Sequence, residues 1–598
     1  MTGATDDGDA PPGSTGVVAA DAPAAIPTAR TPAETAAPEV AGPPPGAEAP
    51  VAPRHRWGAW LPHYPWSGTV GALLFGYSSF TPSLLPRGWL LQGVVAGVTA
   101  AIGYGLGCTV MWFVAQFTDR RPSPGFRRRS WQVLAVLAVV VGLVTLWAAQ
   151  RWQAQIDQLM GLPAPVAYRW GGTVVVAVLM FAALVGIGRL VRRVTRWLIR
   201  VAGRVLPHRL VRPLAVVVTT ALVVFLLNGV LFQGLVDAAN SSFSVSDHGT
   251  EKGAVEPTEP ERSGSPASLV PWDSLGLQGR NFVGRGPTVA QLSAFSGRPA
   301  LEPVRAYAGL ATAGDIAARA ELAVRDLQRA GGFDRAVLVV ATTTGTGWID
   351  PAASDSLEYE FNGNTAIVGM QYSYLPSWLS FLVDQVKARD AGRALFDAVY
   401  GAWAELPAGH RPRLYVFGES LGTFGGEAAF SGLADIVNRT DGVLWVGPPN
   451  FNPLYRSIVE GRAPGSPEWL PVYQNGQTVR FANGAADLNG NLDAWKQPRV
   501  LYLQHASDPI VWWSPHLVLS RPDWLRGQRG PDVSPHMPWI PFVTFWQVTA
   551  DMVFAVNVPP GHGHHYTADY VNGWAQVTQP PGWTAADTDR LRPLITGG

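Results

Sequence analysis

Five long stretches of the sequence carry no charged residue, and they constrain the fold more than any other feature. They cover residues 57–86, 88–118, 131–150, 170–188 and 213–236. A helix needs about 20 residues to span the hydrocarbon of a membrane, and each stretch is long enough for that. Pro62, Pro65, Pro82 and Pro86 shorten the usable part of the first stretch. The alternative is a soluble helical bundle. It is disfavoured because charged residues make up 15% of the chain, against about a quarter in typical soluble proteins.

The second stretch has a spacing of glycines that suits close helix packing. Gly93, Gly97, Gly103 and Gly107 form two pairs separated by three residues, and small residues at this spacing let helix backbones approach each other in lipid. The sequence therefore predicts an all-α transmembrane bundle of about five helices over residues 54–240.

Arginines concentrate in two of the connections between these stretches. One connection holds Arg120, Arg121, Arg127, Arg128 and Arg129, and the other holds eight arginines within residues 189–212. Basic loops stay in the cytoplasm. Both connections satisfy this rule if the N-terminus is cytoplasmic, and five crossings then place the chain after residue 236 outside. We expect a multi-pass protein of the cell membrane with an extracytoplasmic C-terminal domain.

The remaining segments differ in composition. Residues 1–53 are rich in Ala and Pro and contain no aromatic residue, which predicts a disordered tail. Residues 241–268 are rich in Ser, Gly, Pro and Glu, which predicts a linker. In residues 269–598, short apolar runs alternate with helical stretches; the runs are 304–310, 336–341, 365–371, 413–418, 442–447 and 499–504. Buried strands separated by helices predict an α/β domain with a mainly parallel sheet.

A serine motif follows the fourth of these runs. Residues 418–422 read GESLG, and the segment after them is compatible with a helix. A serine nucleophile must project from a tight strand-to-helix turn, where flanking glycines remove side chains that would clash. Gly418, Glu419 and Gly422 would form this turn around Ser420, and the backbone N–H of Leu421 would be one donor to an oxyanion. The alternative is a structural glycine-rich turn.

An acid and a base for this serine can be sought further along the chain. Asp508 follows the last apolar run, where the acid of a Ser-acid-His order is expected; the alternative is an ordinary turn aspartate before Pro509. Residues 561–566 read GHGHHY. We favour His564 as the general base, with His562 second and His565 third. A metal site is the rival interpretation of clustered histidines.

Two further features bear on the substrate. The loop after residue 341 is rich in Thr and Gly, so Thr342 or Thr343 could supply a second oxyanion donor; a phosphate loop is the competing idea, but no Gly-Lys-Ser/Thr follows.

Insertions at 447–498 and 511–557 resemble lids. Large aromatic side chains in the second insertion suggest an acyl-chain pocket or a surface against the outer leaflet, with ordinary packing as the alternative; they include Trp512, Trp513, Trp524, Trp539, Phe542, Phe545 and Trp546.

Several segments together resemble a known family. They are TTTGTGWIDP (342–351), QYSYLPSWLSFL (371–382), FGESLG (417–422), GVLWVGPPN (442–450), QHASDPIVWW (504–513) and GHGHHYTADYV (561–571). They are similar to the bacterial membrane-anchored α/β-hydrolase family 9 type, which pairs an N-terminal multi-helix membrane domain with a C-terminal hydrolase-like domain. The resemblance implies a serine hydrolase with Ser420, Asp508 and a histidine of the 562–565 loop in its triad.

The expected function is that of an integral membrane serine hydrolase, similar to an esterase or lipase, acting on a lipid or acylated envelope substrate. An acyltransferase with the same triad is one alternative, and a non-catalytic membrane receptor or scaffold is another. We expect no cofactor and no metal. The net charge of +1 gives no case for nucleic acid, and a chain whose one cysteine is Cys108 can form neither a disulfide framework nor a cysteine-based cluster.

Overall fold

The computed structural model describes residues 64–118, 123–163, 168–204, 207–489 and 492–597. The tail predicted over residues 1–53, together with Arg120 and Arg121, lies outside these ranges. The N-terminal part of the described chain is helical, with α1 (Trp66–Ser78), α2 (Trp89–Val114), α3 (Pro124–Leu159), α4 (Trp170–Ala202), α5 (His208–Val224), a π-helical stretch (Phe225–Phe232) and α6 (Gln233–Asp247).

Four helical segments in the described residues are long and apolar enough to cross a membrane. They are α2, α3, α4 and the continuous segment Leu210–Asp247. The helix α1, from the first uncharged stretch, has 13 residues and is too short to join them. It ends ahead of Pro82 and Pro86, because proline cannot donate the backbone hydrogen bonds that a helix interior needs.

The glycines of α2 lie where two other helices approach it. A Cβ atom on Gly103 would lie 2.2 Å from the carbonyl oxygen of Gly71 in α1. A Cβ atom on Gly97 would lie 2.7 Å from the carbonyl oxygen of Ala177 in α4. Only glycine fits such backbone contacts, so the predicted small-residue pairs do form the helix contacts.

The C-terminal part is built on a seven-stranded sheet in which all neighbours are parallel. The strands are β1 (Val304–Ala308), β2 (Val337–Thr342), β3 (Thr365–Met370), β4 (Arg413–Glu419), β5 (Gly442–Val446), β6 (Val479–Ala482) and β7 (Arg499–Leu503), in the spatial order β1-β3-β2-β4-β5-β7-β6. Alternate residues of β2 face two different core layers, with Leu338 and Val340 on one side and Val337 and Val339 on the other. Helices therefore cover both faces of the sheet.

The helices of this part connect and cover the strands. They are α7 (Gly276–Val283), α8 (Val289–Ser296), α9 (Ile316–Arg329), α10 (Pro351–Glu360), α11 (Ser377–Val383), α12 (Gln385–Glu405), α13 (Leu421–Glu427), α14 (Leu433–Arg439), α15 (Pro453–Glu460), α16 (Pro509–Trp512), α17 (Val543–Asp551), α18 (Tyr570–Thr578) and α19 (Ala585–Thr596).

The parallel α/β architecture predicted from the sequence is confirmed, and each of the six apolar runs forms a strand. The apolar pattern did not predict β6, which lies inside the insertion at 447–498. This strand has four residues, stands at the edge of the sheet and pairs with β7 alone. Arg480 in its middle is half-buried. A short edge strand with a charged residue lacks the continuous apolar pattern of a central strand.

The segment predicted as a linker, 241–268, is ordered against its neighbours. It begins inside α6, which ends at Asp247. Further on, Ser263 is buried, its backbone N–H donates to the carbonyl of Arg305 in β1 over 3.0 Å, and its hydroxyl donates to Asp326. Small polar residues can form the hydrogen bonds that an irregular backbone needs inside a folded protein. The same composition is typical of flexible linkers, so composition alone does not separate the two.

A buried charge pair joins the apolar helices to the sheet domain. Nε of Arg87, between α1 and α2, lies 3.1 Å from Oδ1 of Asp551 at the end of α17, and both side chains are almost fully buried. The other oxygen of Asp551 accepts hydrogen bonds from the Ser83 hydroxyl and the Leu84 backbone N–H. Burial raises the pKa of Asp551 and lowers that of Arg87, and the attraction between the two charges opposes both shifts.

We expect the Asp551→Ala variant to lose about 3–5 kcal/mol in the free energy of unfolding, because Arg87 would remain buried without its counter-charge. Thermal unfolding in detergent micelles measures this loss. Glu460→Ala is the matched control, since the Arg456–Glu460 pair is largely exposed and an exposed pair contributes at most about 1 kcal/mol. Equal losses in the two variants would contradict a stabilising role for the joint.

Candidate active site

Ser420 occupies a strained turn between β4 and α13. Its backbone has φ 54° and ψ −127°, a conformation that residues with a side chain rarely adopt and that is found mostly at functional sites. The backbone N–H of Ser420 donates to the carbonyl oxygen of Val446 over 2.9 Å, which fixes the turn to the end of β5. This is the strand-to-helix turn that the sequence predicts around GESLG.

The glycines of this turn are required by close backbone contacts. A Cβ atom on Gly422 would lie 2.3 Å from the carbonyl oxygen of Thr342, at the end of β2, and one on Gly418 would lie 2.6 Å from the carbonyl oxygen of Gly422. The turn is therefore packed directly against the end of β2. The Leu421 backbone N–H, at the start of α13, and the Thr342–Thr343 backbone thus belong to neighbouring parts of the same edge of the sheet.

His564 and Asp508 are in direct contact. Nδ1 of His564 lies 2.6 Å from Oδ2 of Asp508, and the backbone N–H of Ile510 donates to Oδ1 over 2.8 Å. Asp508 is fully buried and His564 nearly so. Because the carboxylate accepts the Nδ1 proton, the Nε2 atom of a neutral His564 carries the lone pair.

The ring of His564 lies over Gly447, next to the serine turn. A Cβ atom on Gly447 would lie 2.4 Å from Cε1 of His564, so a side chain there would exclude the ring. Glu419 pairs with Val446 across the sheet, which puts Ser420 beside Gly447. The Nε2 atom of His564 is buried and has no hydrogen-bond partner among the described residues. The structure thus brings Ser420, His564 and Asp508 to one edge of the sheet with a free basic atom.

The other two histidines of this loop contact different groups. Nδ1 of His562 lies 2.9 Å from Asp532, whose carboxylate also accepts from the Ser507 hydroxyl. Nδ1 of His565 donates to the carbonyl oxygen of Val558 over 2.7 Å. Neither is bonded to Asp508. No group of three or more His, Cys, Asp or Glu side chains in the described part of the chain is arranged to hold a metal ion.

Tyr566 supplies a further hydrogen bond to Asp508. Its hydroxyl donates to Oδ2 over 2.7 Å and itself accepts the backbone N–H of His505 over 3.0 Å. Oδ2 therefore receives two donors, one from His564 and one from Tyr566, which fixes the position of the carboxylate. No spacing rule connects Tyr566 to Asp508 in the sequence, so the role of Tyr566 was not predicted.

His505, whose role was likewise not predicted, holds the histidine loop in place through hydrogen bonds. Its Nδ1 donates to the carbonyl oxygen of Gly563 over 2.8 Å, and its Nε2 donates to Asp569 over 3.0 Å. Because a carbonyl and a carboxylate both accept hydrogen bonds, these two contacts favour the doubly protonated ring. Burial lowers the pKa of His505, but the Asp569 carboxylate and the Gly563 carbonyl raise it by more in total, so the pKa lies above its usual value.

A cluster of buried acids stands behind the serine turn. The Tyr570 hydroxyl donates to Glu419 over 2.7 Å. Burial, together with the negative charge of Asp350, raises the pKa of Glu419 well above its usual value, and burial raises the pKa of Asp350 to about 6. The raised pKa favours the uncharged form of the Glu419 carboxyl, which directly precedes Ser420 in the chain.

Two family models match the chain, and together they cover most of it. The model described as "Alpha/beta-hydrolase family" matches residues 304–591, and the one described as "Alpha/beta-hydrolase family N-terminus" matches residues 80–287. No curated protein and no solved structure matches the chain significantly. With both the N-terminal helices and the sheet domain matched, the chain belongs to this α/β-hydrolase family.

Proposed function

We propose that the protein is an integral membrane serine hydrolase that cleaves an ester of a lipid or acylated envelope substrate. The observation that carries this proposal is the arrangement at the sheet edge. Ser420, in its strained turn, and the ring of His564 both adjoin Gly447. Nδ1 of His564 is bonded to Asp508, and its Nε2 has no hydrogen-bond partner in the described chain, the Ser420 hydroxyl included.

The proposed reaction uses these three side chains in the order of a Ser-His-Asp triad. Nε2 of His564 takes the hydroxyl proton as Ser420 Oγ attacks the ester carbonyl carbon. The carbonyl electron pair moves to its oxygen, and the N–H groups of Leu421 and of Thr342 or Thr343 stabilise that oxyanion. When the intermediate collapses, the leaving alcohol takes the proton from His564 and an acyl-enzyme remains. Water, deprotonated by His564, then attacks the acyl carbon, and the acid leaves as Ser420 regains its proton.

Asp508 stabilises the imidazolium that forms on His564, and its own neighbours keep it in place. Because Ile510 and Tyr566 donate to it, its charge is balanced by fixed dipoles inside the protein. Such preorganised groups cost no reorganisation when charge develops during the reaction.

An aromatic row beside the serine supports an apolar substrate. The ring of Phe424, on α13, lies 5.0 Å from Phe451, which lies 4.7 Å from Phe381. The row continues to Trp513, 5.7 Å from Phe381. It runs from the helix after the nucleophile to the 511–557 insertion. Phe424 and Phe381 are buried in the core, and the partly exposed Phe451 and Trp513 offer the apolar surface to which an acyl chain would bind.

The arrangement of the helices supports an extracytoplasmic catalytic domain. Ile156 and Met160, near the end of α3, belong to the core of the sheet domain, whereas Arg127–Arg129 stand at the opposite end of the same helix. The basic half of α4 likewise lies away from its Trp170 end. If the basic ends are cytoplasmic, the sheet domain is outside.

The first uncharged stretch also fits this orientation. Trp66 at the start of α1 bonds to the carbonyl of Ser130, near the basic end of α3, and Leu84 joins the same core as Ile156. Helix α1 and the buried irregular segment after it therefore run along α3, from the level of Ser130 to the core of the sheet domain. Irregular backbone is tolerated in a membrane where protein surrounds it.

We expect Ser420→Ala to abolish labelling by a fluorophosphonate probe, because the probe reacts with an activated serine oxygen. Labelling of membranes that contain the full chain, read on a gel, measures this. Ser431→Ala is the control, since Ser431 is exposed on the same domain and should label like the wild type. Labelling that survives Ser420→Ala would remove Ser420 from the mechanism, and an unlabelled wild type would favour a receptor or scaffold.

His564→Gln should slow probe labelling by at least about a thousandfold, because the serine loses its general base. His562→Gln should keep most of the rate, since His562 is bonded to Asp532 and not to Asp508. The rate of labelling and the melting temperature are measured for both. Equal losses of rate in two folded variants would contradict the assignment of His564 as the base.

Reporter fusions test the orientation. A reporter that is active only outside the cytoplasm should be active when fused after Gly598 and inactive when inserted after Arg204, between α4 and α5. A reporter that works only in the cytoplasm should show the reverse. The opposite pattern would place the catalytic domain in the cytoplasm, against the distribution of arginines.

A further inference from the structure

A short surface segment of the sheet domain exposes three large apolar side chains. Residues 552–561 contain no charged residue. Within them Val553 is 58% exposed, Phe554 45% and Val556 58%, while Ala555 and Val558 are buried. Leaving three such side chains in water within four residues is unfavourable, and a contact with an apolar surface would recover the loss.

The segment starts at the joint with the apolar helices. Asp551, the residue before it, contacts Ser83, Leu84 and Arg87. Gln547, one turn earlier, donates to the carbonyl of Thr81 over 2.9 Å. The exposed side chains therefore lie at the level where the apolar helices end.

Tryptophans mark the same level of the helices. Trp89 begins α2, two residues after Arg87, and Trp170 begins α4. Both are at least partly exposed. Tryptophan is enriched at the interface between membrane and water, so this level is where the headgroups of a bilayer around these helices would lie.

The same segment also supports the histidine loop, through the backbone of Ala555. The backbone N–H of His564 donates to the carbonyl of Ala555 over 2.8 Å. A Cβ atom on Gly563 would lie 2.7 Å from that same oxygen and 3.3 Å from the Leu85 side chain. The segment is therefore held between the helix ends and the loop that carries His564.

We propose that Val553, Phe554 and Val556 insert into the outer leaflet beside α1 and α2, and that the ester substrate passes from that leaflet directly to the His564 loop. The second half of this inference rests on the proposed hydrolase function. Lipid is the partner that the observations favour, because the segment is uncharged, is fixed beside helices able to cross a membrane, and lies level with their tryptophans. A second copy of the chain, or another protein, would instead cover the same side chains with a protein surface.

Depth-dependent quenching tests the contact with lipid. The full chain carrying Cys108→Ser and Phe554→Cys is labelled with a bimane and reconstituted in nanodiscs whose lipids bear a nitroxide near the glycerol. We expect strong quenching by the lipid nitroxide and weak quenching by aqueous iodide. Leu594→Cys, on the exposed face of α19, is the control and should show the reverse.

Each other result overturns the inference. Quenching of the label at residue 554 by iodide to the same extent as at residue 594 would place the segment in water. Protection from both quenchers would show that protein covers it. Val553→Cys, labelled in the same way, repeats the test at a second position in case the first variant does not fold.

The passage of substrate is tested separately, by comparing two esters. A long-chain ester embedded in the nanodisc and a short-chain ester in water are both assayed. Phe554→Ser should lower the ratio of embedded to soluble ester hydrolysis by about tenfold, the effect expected from removing one aromatic side chain from contact with lipid, while Leu594→Ser should keep the ratio. An unchanged ratio would overturn passage through this segment. If the wild type hydrolyses neither ester, the proposed function fails, and the quenching result still decides the contact with lipid.

Discussion

The contact between Asp551 and the segment before α2 holds the two parts of the molecule in one fixed relation. Its carboxylate accepts from Ser83 and Leu84 and pairs with Arg87, all inside the protein. Taking two charges out of water is costly, and the cost is recovered only while both partners stay together with their hydrogen bonds. Leu84, Leu85, Ile156 and Met160 surround this joint and share one core with the sheet domain. The apolar helices are therefore part of the folded domain, unlike an anchor on a flexible tether.

Two features fix the geometry of the candidate site: the joint at Asp551, which lies close to the His564 loop, and the edge of the sheet where β4 ends before Ser420. The loop with His564 is held on one side by the backbone of Ala555, close to the joint, and on the other by the His505–Asp569 pair. Ser420 is held by the turn after β4. Because two independently supported elements meet at Gly447, the position of the imidazole relative to the serine is set by packing and does not rely on one loop.

Much of the fold was predictable from the sequence. Continuous apolar strands are recognisable in a buried parallel sheet, and six of the seven were predicted; β6 was missed because it is short and lies at the edge with Arg480 in it. The helix contacts of α2 were likewise predictable from its glycine pairs, because few residues other than glycine fit where two helix backbones are in contact. The length of α1 was less predictable, because the prolines after it end the helix although the uncharged stretch continues.

At the candidate site, the sequence alone determined the residue types and the order in which Ser420, Asp508 and the histidine loop occur, because a nucleophile at a strand-to-helix turn needs glycines at fixed neighbouring positions. It left three histidines open. Only the tertiary structure separated them, by pairing His564 with Asp508 and His562 with Asp532. It also revealed Tyr566, His505 and the cluster around Glu419. The physical reason is that these contacts join residues distant in the chain through hydrogen bonds of a few ångströms, and no local pattern or spacing encodes such distances.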